Sequence, residues 1–365
     1  MTAPNLFQRT LARQNLGRPP VWFMRQAGRY HAHYQALRKQ HSFVDLCKKP
    51  EIACEATLGP VQDFGFDAGI LFSDLLFPLE AMGMGLRYDE GPKLDWHLRT
   101  LADLTKLKGG AALAAHMEFQ AEAMRQIRRA LPADKGLLGF VGGPLTLFFY
   151  AAAGSHQSSS PGDLQNAHEG LTDGRFAGFN EKLLDLLAAN MALQAKAGAD
   201  TVAILDTCAG EVSPEVYAEI VVPSLRALLT KFHALCPSYP VTYYSKGSGP
   251  DHWRKLDGLP LSALGVDWHH DLAEVLREWS GKYAIQGNID PHWLFLTPAE
   301  LEHRLRAVFT KVKNLPEECR RGWICGLGHG VLPKTPEDNV RLYLKIQHEM
   351  FGIAGAVPAH GGMHE

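Results

Sequence analysis

Leu137 to Gly143 reads LLGFVGG, an apolar run without alternation that closes on two glycines. A strand with one wet face alternates apolar and polar residues, whereas a continuous run suits a strand covered on both faces, as in parallel sheets. Working outward, seven more such runs appear. They are Val21–Gln26 (VWFMRQ), Ala68–Asp74 (AGILFSD), Thr201–Thr207 (TVAILDT), Val241–Gly247 (VTYYSKG), Leu261–Trp268 (LSALGVDW), Tyr283–Ile289 (YAIQGNI) and Trp323–Gly328 (WICGLG). Helical periods lie between several of them. Phe176, Phe179, Leu183, Leu187, Met191 and Gln194 step by three and four, and Gly198 then stands where a C-terminal cap is expected. Thr297-Pro298-Ala299-Glu300 predicts a helix start, and Ser213-Pro214 and Thr335-Pro336 repeat the cap-and-proline signal. Ala111 to Ala130 predicts one long helix.

Eight strand–helix units predict an α/β chain folded as a (β/α)8 (TIM) barrel, a single domain with extended βα loops. Residues 1–20 would form an N-terminal extension, 21–352 the barrel and 353–365 a flexible C-terminal tail. The segment Ala151–Gly162 (AAAGSHQSSSPG) reads as a mobile loop or lid. A doubly wound open sheet is the runner-up, but no G-x-G-x-x-G follows the first run and no Walker A motif occurs.

The chain has 365 residues, 46% hydrophobic and 21% charged, enough for a large core, with no run of about 20 apolar residues to span a membrane. Its 37 Lys and Arg nearly balance 39 Asp and Glu, so long-range capture of nucleic acid is not expected. Six scattered cysteines without a C-x-x-C pair read as free thiols. Met1–Pro20 has no apolar core for a secretory signal, so a cytoplasmic protein is expected. The first 44 residues carry seven basic side chains and no acidic one. That start suits an organellar transit peptide or, with a strand beginning at Val21, a local anion-binding patch.

Residues at the C-terminal ends of barrel strands converge on one mouth. The first run ends in Met24-Arg25-Gln26-Ala27-Gly28-Arg29, the second in Ser73-Asp74, and the third continues to Tyr150. The fourth ends in Asp206-Thr207, the fifth in Ser245-Lys246 and the eighth in Gly328-His329-Gly330. Arg25 and Arg29 flank a short loop and could clamp carboxylates or phosphate, or else bridge to protein acids. Arg38 could join the same patch or lie on a solvated helix face. Asp74, delivered by an apolar run, needs a partner: ligand N–H groups, a metal, the arginines, or simply a backbone N–H that it caps. His329 between glycines can meet a ligand closely or close a turn. No H-E-x-x-H, His-x-Cys or G-x-S-x-G occurs, so neither a zinc site nor a hydrolase nucleophile is indicated. The residues thus describe a barrel binding a polyanionic small molecule around one central carboxylate.

MRQAGRY (Met24–Tyr30) resembles the signature of the uroporphyrinogen decarboxylase family. The resemblance continues through FGFDAGILFSD (Phe64–Asp74), AMGMG (Ala81–Gly85), GGPLTLFFY (Gly142–Tyr150), LDTCAG (Leu205–Gly210), GVDW (Gly265–Trp268), QGNIDP (Gln286–Pro291) and LGHGVLPKTPEDNV (Leu327–Val340). It implies a (β/α)8 homodimer that removes the four acetate carboxyls of uroporphyrinogen III without metal or organic cofactor. It further implies that Arg25 and Asp74 are catalytic. Substrate would be bound by Arg25, Gln26, Ala27, Gly28, Arg29, Arg38, Asp74, Tyr150, Thr207 and His329. His31, Leu145, Gly326 and Ser158-Ser159-Ser160 depart from the family's usual pattern. A corrinoid-dependent methyltransferase of the same superfamily and a non-catalytic tetrapyrrole binder are the alternatives.

Overall fold

The computed structural model describes residues 3–89, 91–154 and 160–352. Its core is a seven-stranded, all-parallel sheet whose strands follow one another in chain order. The strands are β1 (Ala68–Ile70), β2 (Gly136–Gly142), β3 (Thr201–Asp206), β4 (Val241–Ser245), β5 (Ala263–Gly265), β6 (Ala284–Ile289) and β7 (Trp323–Leu327). Every residue of β2 to β7 is buried, as the unbroken apolar runs predict. The register is continuous, with Leu138 opposite Thr201, Val202 opposite Val241, and Asn288 opposite Gly326.

The strand expected at Val21–Gln26 is reduced to one bridge between Val21 and Cys325 on β7. Backbone bonds tie this segment on both sides: Trp22 N donates to Cys325 O at 3.1 Å, and Asp67 N donates to Val21 O at 2.9 Å. Side chains do the rest. Arg18 places both terminal nitrogens on the buried Asp67 carboxylate at 2.6 Å, and Val21 N donates to the same group at 2.8 Å. An extended segment held in this way needs no ladder, and a short apolar run cannot reveal the difference.

Other ends also shift. The second and sixth runs form strands of only three residues, β1 and β5. The third run does not continue to Tyr150. Gly143 and Pro144 end the strand and open a helix, Pro144–Ala153, because proline fits the first helical position and its missing N–H costs a strand a ladder bond. That helix takes up Ala151–Ala153 and a further one, Pro161–Glu169, takes up Pro161 and Gly162, so those residues are not loop. Gly154 and Ser160 cap these two helices, while 155–159 of the expected lid and the tail 353–365 lie outside the described residues.

Among the helices, Arg175–Lys196 buries all six residues of the predicted stripe, with Gly198 just beyond it at φ +113°. Ala111–Ala130 divides into a 3₁₀ segment, Ala111–Met117, and an α-helix, Glu118–Ala130. The first part buries only Ala114 and Met117, three apart, which is the 3₁₀ repeat. Thr297 and Ser213 cap as predicted. Thr335 instead donates to Leu332 O at 2.8 Å, and its helix runs Glu337–Phe351. The first twenty residues contribute a helix, Leu6–Leu11, whose Phe7 and Leu11 join the main core.

Candidate active site

The loop carrying Arg25 is fixed by its own neighbours. Gln26 Nε2 donates to Ala68 O on β1 at 3.0 Å, Tyr30 OH to Gln26 O at 2.8 Å, and His31 N to Gly28 O at 2.9 Å. The Gln26 side chain is thereby buried in an anchoring role, while Ala27 and Gly28 stay half-buried at the turn. Arg25 adopts φ +59°, a left-handed conformation unusual for a side-chain-bearing residue, beside the bond from Val331 N to Met24 O at 2.9 Å. Its stem rests on Gly330, where a Cβ would come within 2.5 Å of Arg25 Cδ. Arg25 and Arg29 are exposed, and among the described residues neither meets a carboxylate. The alternative of structural ion pairs is thus not realised. Arg38, also exposed, donates to His41 O at 2.6 Å, and its charge acts with that of Arg29 on Tyr34.

Asp74 lies four residues beyond β1, not at its end, and is half-buried. Its Oδ1 accepts from Leu76 N at 2.8 Å, so it does close a local turn. Burial pushes its carboxyl above the usual range, against the Leu76 N–H, the Tyr88 hydroxyl and the Arg25 charge, all of which favour the ionised form. Tyr150, on the second turn of its helix, is half-buried too. Burial, with Cys208 and Asp74, pushes its phenol up to about 12 against the pull of Arg25. Thr207 follows β3 and is half-buried, and the next residue, Cys208, donates its N–H to Thr146 Oγ1 at 3.1 Å.

His329 follows β7 and is pushed down to about 4, by burial first and then by the charges of Arg25 and Lys246. Its imidazole is therefore neutral at pH 7 and available as a donor and acceptor. Tyr244 and Trp268 pack edge-on to its ring at centroid distances of 6.4 and 6.1 Å. Arg25 thus bears on Asp74, Tyr150, Tyr244 and His329 together. Arg38 acts on none of these four; its charge bears on buried Cys47 and on Tyr34.

Beneath Thr207, Asp206 is fully buried and accepts from Thr146 Oγ1 at 2.6 Å, Thr146 N at 3.2 Å and Tyr243 OH at 3.1 Å. Burial raises its carboxyl to about 6 against those hydrogen bonds. This platform fixes the strand end from which Thr207 projects.

Sequence reasoning did not assign Tyr88, Tyr244, Lys246 or Trp268. Lys246 and Trp268 stand at or next to the end of a predicted run, a signal that was available, and Tyr244 lies within one. Tyr88 comes from the two-residue strand Arg87–Tyr88, which pairs with Pro92–Lys93, and nothing local marks it. Of the departures, His31 is buried with Nε2 2.7 Å from Asp63, and Leu145 is fully buried. Gly326 is required by space, since a Cβ there would come within 2.3 Å of Trp22 O. Among the described residues no three His, Cys, Asp or Glu side chains gather as metal ligands.

An all-parallel α/β sheet, with the exposed Arg25 acting on Asp74, Tyr150, Tyr244 and His329 around its strand ends, is the frame in which the comparisons fall. The family model described as uroporphyrinogen decarboxylase (URO-D) matches residues 2–350. The uroporphyrinogen decarboxylase of Pelobacter propionicus is 36% identical over 330 residues, covering 90% of this chain and 93% of that protein. The Myxococcus xanthus enzyme of the same name is 36% identical over 349 residues, covering 95% and 96%. The chain belongs to the uroporphyrinogen decarboxylase family. Among solved structures, a methyltransferase from Methanosarcina mazei aligns over 96% of this chain and all of its own with a TM-score of 0.73, but at 17% identity it speaks to the fold alone.

Proposed function

We propose that the chain is a uroporphyrinogen decarboxylase, removing the four acetate carboxyls of uroporphyrinogen III to give coproporphyrinogen III with no metal or organic cofactor. The observation that carries this reading is Asp74 standing by Arg25, with Arg25 and Arg29 left unpaired among the described residues. In a chain whose other arginines commonly meet acids, as Arg18, Arg125 and Arg175 do, such cations await an anionic ligand. Family membership supplies the substrate. The M. mazei likeness does not favour the methyltransferase alternative, because it rests on the fold.

Decarboxylation beside an electron-rich pyrrole has no electron sink until a ring carbon is protonated. Protonation makes an iminium-like cation, and loss of carbon dioxide returns the electron pair and leaves an exocyclic methylene. A proton then adds to that methylene as the ring carbon gives one up, so that each acetate becomes a methyl with net uptake of one proton. Asp74, ionised and facing the pyrrole N–H groups, stabilises that cation as it forms; preorganised groups of this kind are worth about 3–4 kcal/mol. Burial raises the Asp74 carboxyl, and the N–H groups of a bound substrate, with Arg25, restore its charge. Arg25, Arg29 and Arg38 hold carboxylates, and binding energy from the carboxylates not reacting orients the one that does. Arg25, acting through water or a substrate carboxyl, delivers the proton. Tyr150, Thr207 and neutral His329 line the cleft, and Gln26, Ala27 and Gly28 shape the loop that presents the arginines.

The same reading takes the fold as a single-domain closed (β/α)8 barrel. In its support, Pro20–Trp22 bonds to Cys325 on one side and Val21 to Asp67 on the other, as an eighth strand would. It also takes the protein as a cytoplasmic homodimer, checked by sedimentation velocity. No helix among the described residues is long and apolar enough to cross a membrane. Asp74→Asn tests the chemistry: it should retain the fold and lose at least a hundredfold in turnover at every decarboxylation step. Near-normal turnover would remove Asp74 from the mechanism.

A further inference from the structure

Lys246 follows β4, in a position built with care. Its N–H donates to Asp206 O at 3.2 Å, and its carbonyl accepts from Gly210 N at 2.9 Å. The next residue, Gly247, donates to Oδ2 of the buried Asp267 at 2.7 Å. The backbone is therefore clamped from the strands on both sides. The side chain is not: it is half-buried, yet among the described residues its ammonium has no hydrogen bond and no ion pair. The neighbouring carboxylates are already engaged. Asp206 accepts from Thr146 and Tyr243, and Asp267 from Gly247 and His269. A lysine held this firmly, with its charge unmatched, contrasts with Lys48, Lys231 and Lys311, each of which meets an acid. Its ammonium acts on His329 from the β4 side while Arg25 acts on the same ring.

We propose that Lys246 is a carboxylate-binding residue of the substrate cleft, taking one peripheral carboxylate of the eight-carboxyl tetrapyrrole at the end of β4. This inference rests on the decarboxylase reading and adds a cation that the motif Met24–Tyr30 does not supply. A carboxylate there would complete the ion pair that the protein leaves open, as a charge-assisted hydrogen bond. Lysine suits the place as a compact charge on a flexible stem, able to follow a side arm that shortens from acetate to methyl as the reaction proceeds.

The experiment compares wild type, Lys246→Met and Lys246→Arg by steady-state decarboxylation of uroporphyrinogen III, and by binding of the unreactive oxidised probe uroporphyrin I. Lys246→Met should raise KM and the probe's Kd about tenfold, equivalent to about 1.4 kcal/mol, with kcat within threefold of wild type. Lys246→Arg should restore both to within threefold. Circular dichroism and thermal melting of each variant exclude misfolding, and the arginine rescue separates a charge contact from a packing role. Unchanged KM and Kd in Lys246→Met, or a loss that Lys246→Arg does not repair, would overturn the proposal while leaving the decarboxylase reading intact. A wild-type chain that neither turns over uroporphyrinogen nor binds the probe would overturn both.

Discussion

At Gly330 the missing Cβ decides where Arg25 can lie. A methyl group there would come within 2.5 Å of Arg25 Cδ and 2.7 Å of its Cγ, so the arginine stem has to move. Gly330→Ala should therefore raise KM at least tenfold with a stability change below about 1 kcal/mol, as paired kinetics and melting would show. Asp206 offers a pH test. Its folded carboxyl is raised to about 6, so its stabilising share is full below the unfolded value near 4 and is lost as pH rises through 6. Relative to wild type, Asp206→Asn should gain stability between pH 4 and 7, by about 2 kcal/mol; urea titrations at both pH values measure the difference. The site residues were legible in the sequence to the extent that strand ends mark a mouth. Thr207 and His329 do follow strands, as that reading expects. Tyr88 was not legible, because a hairpin distant in sequence brings it to Asp74.

At the scale of elements, what holds Val21–Gln26 in place is side-chain chemistry rather than a ladder. Arg18 and Asp67 form a bidentate pair whose acid is nearly buried, 5% exposed at the side chain. Burial alone would raise the Asp67 carboxyl, but Arg18 and the Val21 N–H hold it below its ordinary value. Its contribution to stability is therefore present above the unfolded carboxylate value and fades as pH falls through the depressed folded one. Arg18→Met, leaving a buried unpaired charge, should cost about 3–5 kcal/mol at pH 7, and that cost should shrink as pH falls and the Asp67 carboxyl, no longer held down by Arg18, takes up a proton. Equilibrium unfolding between pH 3 and 7 tests both. The six runs from Leu137 onward were legible as strands because burial on both faces leaves an unbroken apolar signature. Their ends were less so. FFY after Gly143-Pro144 is as apolar as a strand, and only the proline signals a helix. Asp74 looked like a strand end because AGILFSD stays apolar past Ile70, where pairing stops.

Over the whole molecule, a parallel sheet wound in chain order brings the C-terminal ends of its strands to one end, and with them the residues that follow, Thr207, Lys246 and His329. Near-neutral total charge does not oppose this, since the basic excess is local to the first 44 residues. The parallel α/β class could be read from patterns of burial; the identity of a bound anion could not, since unpaired arginines accept any carboxylate or phosphate. Family membership supplies that last step. The measurement that tests it most directly is anaerobic incubation of the purified protein with uroporphyrinogen III in EDTA, followed by chromatography of the oxidised products. The account predicts a ladder of seven-, six-, five- and four-carboxyl porphyrins from metal-free protein. Recovery of the eight-carboxyl compound alone, from folded protein, would contradict it.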